Sequence, residues 1–179
     1  MSSYGICLQR LHFLIVSYKL ALFCFGVRFS IVMKVRQIAS TDYDQWLNLW
    51  RGYLEFYKSE VSDEITANTW RELNDSKSLI TGFVAEVDST VCGIAHCFLR
   101  PSTWHKVGYL YLEDLFVDPK YRGAGVGRAL LDKAAENGRE IGAEKLYWIT
   151  KEDNAQARAL YDSFVKGASS GFIQYEYPL

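Results

Sequence analysis

Nine residues, Tyr109–Val117, are rich in aromatic and aliphatic side chains and read as a strand. Asp118-Pro119 ends it, because proline cannot donate to a ladder. Gly123, Gly125 and Gly127 follow at alternate positions, and a helical pattern opens at Val126. Glycines let a backbone approach a ligand closely. The first amides of a helix have no partner within it, and with the helix dipole they form an anion site. The expected anion is a phosphate or pyrophosphate. A dinucleotide fingerprint would need glycine where Arg128 stands, and a P-loop would need Gly-Lys-Ser/Thr at its end; neither is present.

Composition narrows the class. The 179 residues suffice for one domain with a real core, and 49% hydrophobic with 23% charged residues is globular. A net charge of -1 gives no bulk attraction to nucleic acid. Cys7, Cys24, Cys92 and Cys97 make no C-x-x-C pair. Cys92 and Cys97 are an odd number of steps apart on one strand, so opposite faces are expected, with no disulfide and a reducing cytoplasm. His12, His96 and His105 are too scattered for a metal site. Residues 11–32 are mostly apolar, but Lys19 and Arg28 break the run below the ~18 residues of a span. The domain is expected at 33–179, with no membrane association. Residues 1–32 read as a leader from an upstream start codon rather than an anchor or export signal.

From Met33 the elements follow in order. Residues 34–38 alternate as a half-buried strand. Thr41 with Asp44 signals a helix start, and Trp46, Leu49, Trp50, Tyr53, Leu54 and Tyr57 recur at helical spacing. That stripe is core, and its end at Tyr53, Phe56 and Tyr57 is also a candidate pocket wall. A second helix is expected from Asp63 to Leu73, with Ile65, Trp70 and Leu73 inward. Strands at Ile80–Val87 and 91–99 flank a turn at Asp88-Ser89-Thr90. Residues 101–106 form a loop carrying Trp104 and His105. The helix from Val126 runs to about Arg139, with a break at Gly138 and Ile141 on its buried stripe; Arg128 and Asp132 pair on its wet side. Leu146-Tyr147-Trp148-Ile149 reads as a strand buried on both faces. A helix over 154–165, a flexible loop at 166–171 and a closing strand at 172–177 complete the chain.

The pattern R-x-x-G-x-G in Arg122, Gly125 and Gly127 resembles the Q/R-x-x-G-x-G/A motif of the GNAT N-acetyltransferase superfamily. The order of elements over 34–179 is similar too. The resemblance implies an α/β (α+β) fold, a mixed, mostly antiparallel sheet with helices on both faces. It implies acetyl-CoA as co-substrate, its pyrophosphate held by Arg122, Gly123, Ala124, Gly125, Val126, Gly127 and Arg128. Backbone groups of Leu115, Phe116 and Val117 would meet the pantetheine arm where the central strand splays, with the Phe116 amide facing the thioester oxygen. Asn154 would touch the same arm, and the Tyr161 phenol would lie near the sulfur.

Glu113 and Asp114 are adjacent carboxylates in an apolar strand, costly to bury unless paired or hydrated. A bulge there would let both approach the site. Glu-Asp at this place resembles the spermidine/spermine branch, with Glu113 as base and Asp114 as amine anchor; the alternative is a structural salt bridge to Arg or Lys on a neighbouring strand. Residues 163–167 after the tyrosine helix, Thr103-Trp104-His105 and the tryptophan-rich first helix resemble the histone and D-amino-acid branch instead. The expected reaction is direct attack by a primary amine in a ternary complex. The acceptor is a small molecule such as a polyamine or amino acid, with protein lysine as the alternative. A non-catalytic acyl-CoA-sensing module is a further alternative. Family members often pair as homodimers, but no residue here marks an interface.

Overall fold

The computed structural model describes residues 33–165 together with 171, 174, 175, 177 and 178. The leader, the loop at 166–170 and most of the closing strand lie outside the described residues. Strand β1 (Met33–Gln37) leads through a 3-10 turn into helix α1 (Tyr43–Tyr57), and α2 (Asp63–Leu73) follows. Strands β2 (Ile80–Val87), β3 (Thr90–Arg100) and β4 (Tyr109–Val117) come next. Helix α3 (Val126–Glu140), the short β5 (Leu146–Tyr147) and α4 (Ala155–Val165) complete the order. The five strands lie in sequence order; the first four are antiparallel and β5 is parallel to β4.

Helices cover both faces. On one, Val126, Leu130, Leu131 and Ala134 of α3 pack on Phe83, Ala95 and Leu112 of the sheet, with Leu160 and Phe164 of α4 packed against this cluster. On the other, Trp46, Leu49 and Trp50 of α1 and Leu73 of α2 pack on Val84, Ile94 and Phe116. Burying one such aliphatic side chain contributes about 1.5–3 kcal/mol, so two apolar stripes hold the sheet from both sides.

Bulges decide which residue faces which layer. His96 pairs with Asp114 but Cys97 pairs with Leu112, so Glu113 has no partner across the ladder. That extra residue reverses the alternation. Leu110 and Leu112 face α3, whereas Asp114 and Phe116 are buried with Phe116 against α1. A similar irregularity at Ala85/Glu86 skips Cys92. Cys92 and Cys97 therefore share the α3 face rather than lying on opposite ones, and both are free thiols. Counting odd and even steps misplaces them because it assumes an unbroken pleat.

Four local expectations are corrected. Helix α1 has no hydroxyl cap: Asp42 stands at its N-cap, and its carboxylate takes the Ala39 N–H and the Arg36 guanidinium instead. Ile65 is 51% exposed, not inward. Helix α3 runs unbroken through Gly138, where a Cβ would sit 3.5 Å from Leu110 Cδ2, and Ile141 is an exposed C-cap. The strand at 146–149 shrinks to Leu146–Tyr147, with Ile149 exposed. Its apolar run is spent on α4, since Trp148 packs against Tyr161 and Phe164. No helix among the described residues is long and apolar enough to cross a membrane.

Candidate active site

A cavity of about 320 Å³ lies between the end of β4, the glycine loop, the start of α3 and one face of α4. Gly123 and Gly125 sit at φ +77° and +84°, and a Cβ on either would meet nothing within 4 Å. Space is therefore not the reason for glycine there; left-handed backbone is. Gly127 has a different reason. Its Cβ would lie 3.1 Å from Leu160 Cδ2, so its bareness lets α4 approach the start of α3. Gly125 is the N-cap of α3 and has no side chain to occupy the first amides. Those amides carry the positive end of the helix dipole at the cavity wall.

Arg122, Gly123, Gly125, Val126, Gly127 and Arg128 line this cavity; Ala124 does not, being an exposed residue between two that do. Arg122 is held in place, its Nε donating to the Val117 carbonyl at 3.0 Å and its guanidinium lying 5.8 Å and 5.5 Å from the Phe56 and Phe116 ring centres. Arg128 lies over the Phe164 ring at 4.8 Å and pairs with Asp132 at 3.6 Å.

Leu115, Phe116 and Val117 line the opposite wall. Strand β5 pairs with β4 only at Leu110 and Tyr111, so beyond Tyr111 that edge of β4 has no strand beside it among the described residues. Strand backbone groups alternate between edges. The Asp118 N–H donates to the Cys92 carbonyl at 2.9 Å, which sends the amides of Asp118 and Phe116 toward β3. The amides of Leu115 and Val117 face the open edge instead, where Arg122 already meets the Val117 carbonyl. The expectation for the Phe116 amide is thus corrected by parity; Phe116 contributes its ring.

Asn154 and Tyr161 come to the cavity on α4. Asn154 Oδ1 accepts from the Ala157 N–H at 3.2 Å, so it caps the helix as well. Burial, and then Tyr57, push the Tyr161 phenol up to about 12. Its O–H is retained at neutral pH.

Glu113 and Asp114 do not line the cavity; they sit at the bulge beside it. Glu113 is exposed, but neighbouring atoms strip part of the water from its carboxyl, and this first, then the charge of Asp114, raises it above the usual range. Asp114 is 8% exposed and, among the described residues, makes no salt bridge to Arg or Lys. His96 Nδ1 lies 2.9 Å from its Oδ2 instead. From α1, Tyr53 faces the same charge, and burial followed by Asp114 raises its phenol.

Sequence reasoning missed His96, Gln156 and Leu160. His96 drew attention only as a metal ligand, and among the described residues no group of His, Cys, Asp and Glu is placed to hold a metal. The one available signal was a histidine in a strand opposite a buried carboxylate, which needs the register to be seen. Of the expected pocket wall Tyr53, Phe56 and Tyr57, the last two line the cavity and Tyr53 does not; it faces Asp114 instead.

The family model described as acetyltransferase (GNAT) family matches residues 43–164. The D-amino-acid N-acetyltransferase HPA3 of Saccharomyces cerevisiae is 30% identical over 129 residues, covering 71% of this chain and 80% of its own. A thialysine N-epsilon-acetyltransferase of Caenorhabditis elegans is 34% identical over 121 residues, covering 67% and 74%. Among solved structures, the aminoglycoside N-acetyltransferase AAC(6')-Iy in complex with CoA superposes with a TM-score of 0.71 at 18% identity, over 86% of this chain and 99% of that one.

Proposed function

This chain belongs to the acetyltransferase (GNAT) family and is an acetyl-CoA-dependent N-acetyltransferase, and on that premise we propose that it acetylates the primary amine of a small molecule by direct attack. The observation that carries the reading is one cavity containing a bare glycine loop, an unpaired strand edge and a protonated phenol.

The residues fit the co-substrate. The open positions over Gly123 and Gly125 and the first amides of α3 suit a pyrophosphate, with Arg122 and Arg128 beside them. The Leu115 and Val117 amides suit the amide-bearing pantetheine arm, and donors on a rigid strand are preorganised for a thioester oxygen. Acetyl-CoA, when bound, supplies the acetyl group as a thioester. Glu113 accepts the proton of the amine, directly or through water, and its raised carboxyl makes it a better base than an ordinary glutamate. Asp114 attracts the ammonium form. Tyr161 holds its proton at the phenol oxygen for the leaving thiolate. Cys97 is unsuited to carry an acyl group: it is fully buried, and burial followed by Asp114 pushes its thiol up to about 12. Burial raises the Cys92 thiol too, so neither cysteine among the described residues is suited to carry the acetyl group, which supports direct transfer.

The relatives' names, D-amino acid and thialysine, support a small acceptor bearing an amine. Thiol release from acetyl-CoA, measured over a panel of amino acids, thialysine, polyamines, aminoglycosides and a lysine peptide, tests the reading. Turnover is expected with a small amine, falling about 100-fold in both Glu113→Gln and Tyr161→Phe. Tight acetyl-CoA binding without turnover on any amine would sink it in favour of a sensor, and turnover on the peptide alone would move the acceptor to protein lysine.

A further inference from the structure

Asp114 ends a buried chain of hydrogen bonds whose other two members, His96 and Trp46, have no part in the reaction above. Trp46 Nε1 on α1 donates to His96 Nε2 on β3 at 3.0 Å, and His96 Nδ1 lies 2.9 Å from Asp114 Oδ2 on β4. Trp46 is 0% and His96 1% exposed, so no solvent intervenes. An indole N–H can only donate. His96 Nε2 must therefore be a bare lone pair, and the one ring proton must sit on Nδ1, donated to Asp114. A second proton on the ring would set two N–H groups head to head at the Trp46 contact. The Trp50 ring, 5.7 Å from the imidazole and 6.0 Å from Trp46, closes the other side.

We propose that His96, locked in its neutral Nδ1–H form by Trp46, is a positioning residue that keeps Asp114 oriented and uncompensated as an anion at the bulge. The chemistry turns on neutrality. A neutral imidazole donates one hydrogen bond, which fixes the carboxylate but cancels none of its charge. An imidazolium would pair with Asp114 and erase the field that attracts an ammonium and keeps Glu113 basic. Among the described residues, the titratable groups that face this carboxylate are His96 itself, Glu113 beside it, Tyr53 from α1, Cys97 on β3 and Tyr111 on β4. None of them is a cation, so the neutral histidine decides whether the charge survives. The tautomer stands on the geometry alone; its role rests on reading Glu113 and Asp114 as groups of the acetyl-transfer site.

Two measurements test it. Long-range ¹H–¹⁵N correlation on the full chain reads the tautomer directly: one Nδ1–H and one unprotonated Nε2 for His96, unchanged from about pH 8 down to about pH 6. An Nε2–H tautomer, or conversion to the doubly protonated ring over that range, overturns the proposal whether or not the protein acetylates anything. The second compares kcat/KM for the amine in wild type and Trp46→Phe, which keeps a ring but removes the donor. The two should agree within about twofold at about pH 8.5, and the variant should fall about tenfold behind at about pH 6, as His96 gains a proton and pairs with Asp114. A loss equal at both pH values marks a packing role only and refutes the positioning role. Should Trp46→Phe not fold, the tautomer measurement still decides. Absence of turnover in the wild type would instead refute the acetyl-transfer reading and leave the tautomer result standing.

Discussion

Thr41 and Asp44 announce a helix start, and Asp42 between them takes the N-cap position. Its carboxylate is 2.6 Å from Arg36, which also reaches Glu86 at 3.1 Å. Arg36 first, and then the Ala39 N–H, hold the Asp42 carboxyl below its ordinary value against the opposing effect of burial. A carboxyl lowered on folding stabilises the native state above the unfolded value of about 4, and that contribution disappears as pH falls through the lower folded value. Asp42→Asn should cost about 2 kcal/mol at neutral pH, since it leaves a half-buried guanidinium short of a partner. The gap between variant and wild type should narrow on acidification below about pH 4, read from urea midpoints. An equal gap at both pH values would contradict the linkage.

The glycine loop and α3 work as one element. Gly125 ends the loop in left-handed backbone and begins the helix. An alanine there has room for its methyl but not the conformation, at a cost of about 1–2 kcal/mol. Because the strain falls on the amides at the cavity wall, Gly125→Ala should raise KM for acetyl-CoA about tenfold and shift KM for the amine less than about twofold. Steady-state kinetics with each substrate varied in turn measures this; a rise confined to the amine would contradict the loop's role. The β4 bulge is the companion device. One unpaired residue, Glu113, turns Asp114 toward α1 and leaves Leu112 on the α3 face.

At the scale of the molecule, the cavity is a junction. The sheet end, the α3 start and the α4 face each supply one wall, so occupancy should tie them together. A ligand that binds only the folded state at about 100 times its Kd adds about 2.7 kcal/mol. For a domain of this size that is a rise in Tm of roughly 5–10 °C, which scanning fluorimetry with acetyl-CoA would detect. Because β1 opens at Met33 and pairs with Val87, the shift should be the same for the full chain and for residues 33–179 alone. A shift seen only with residues 1–32 present would assign them a part in the domain.

The sequence by itself determined the order of elements over residues 33–165, the glycine loop before α3 and the helix that carries Tyr161, because these depend on local periodicity, glycine and proline. Val126, Leu130 and Ala134 announce one buried face of α3, and Arg122 with Gly125 and Gly127 announces what precedes it. The tertiary structure alone decided what crosses between strands. A bulge of one residue overturned the facing of Cys92, a backbone parity set by pairing moved the open amides from Phe116 to Leu115 and Val117, and α4 took Trp148 from the strand expected there. His96 meets Asp114 across 18 positions of chain and Trp46 across 50, distances at which no local pattern carries information. Register is a long-range property, and in this protein the site's electrostatics depend on it.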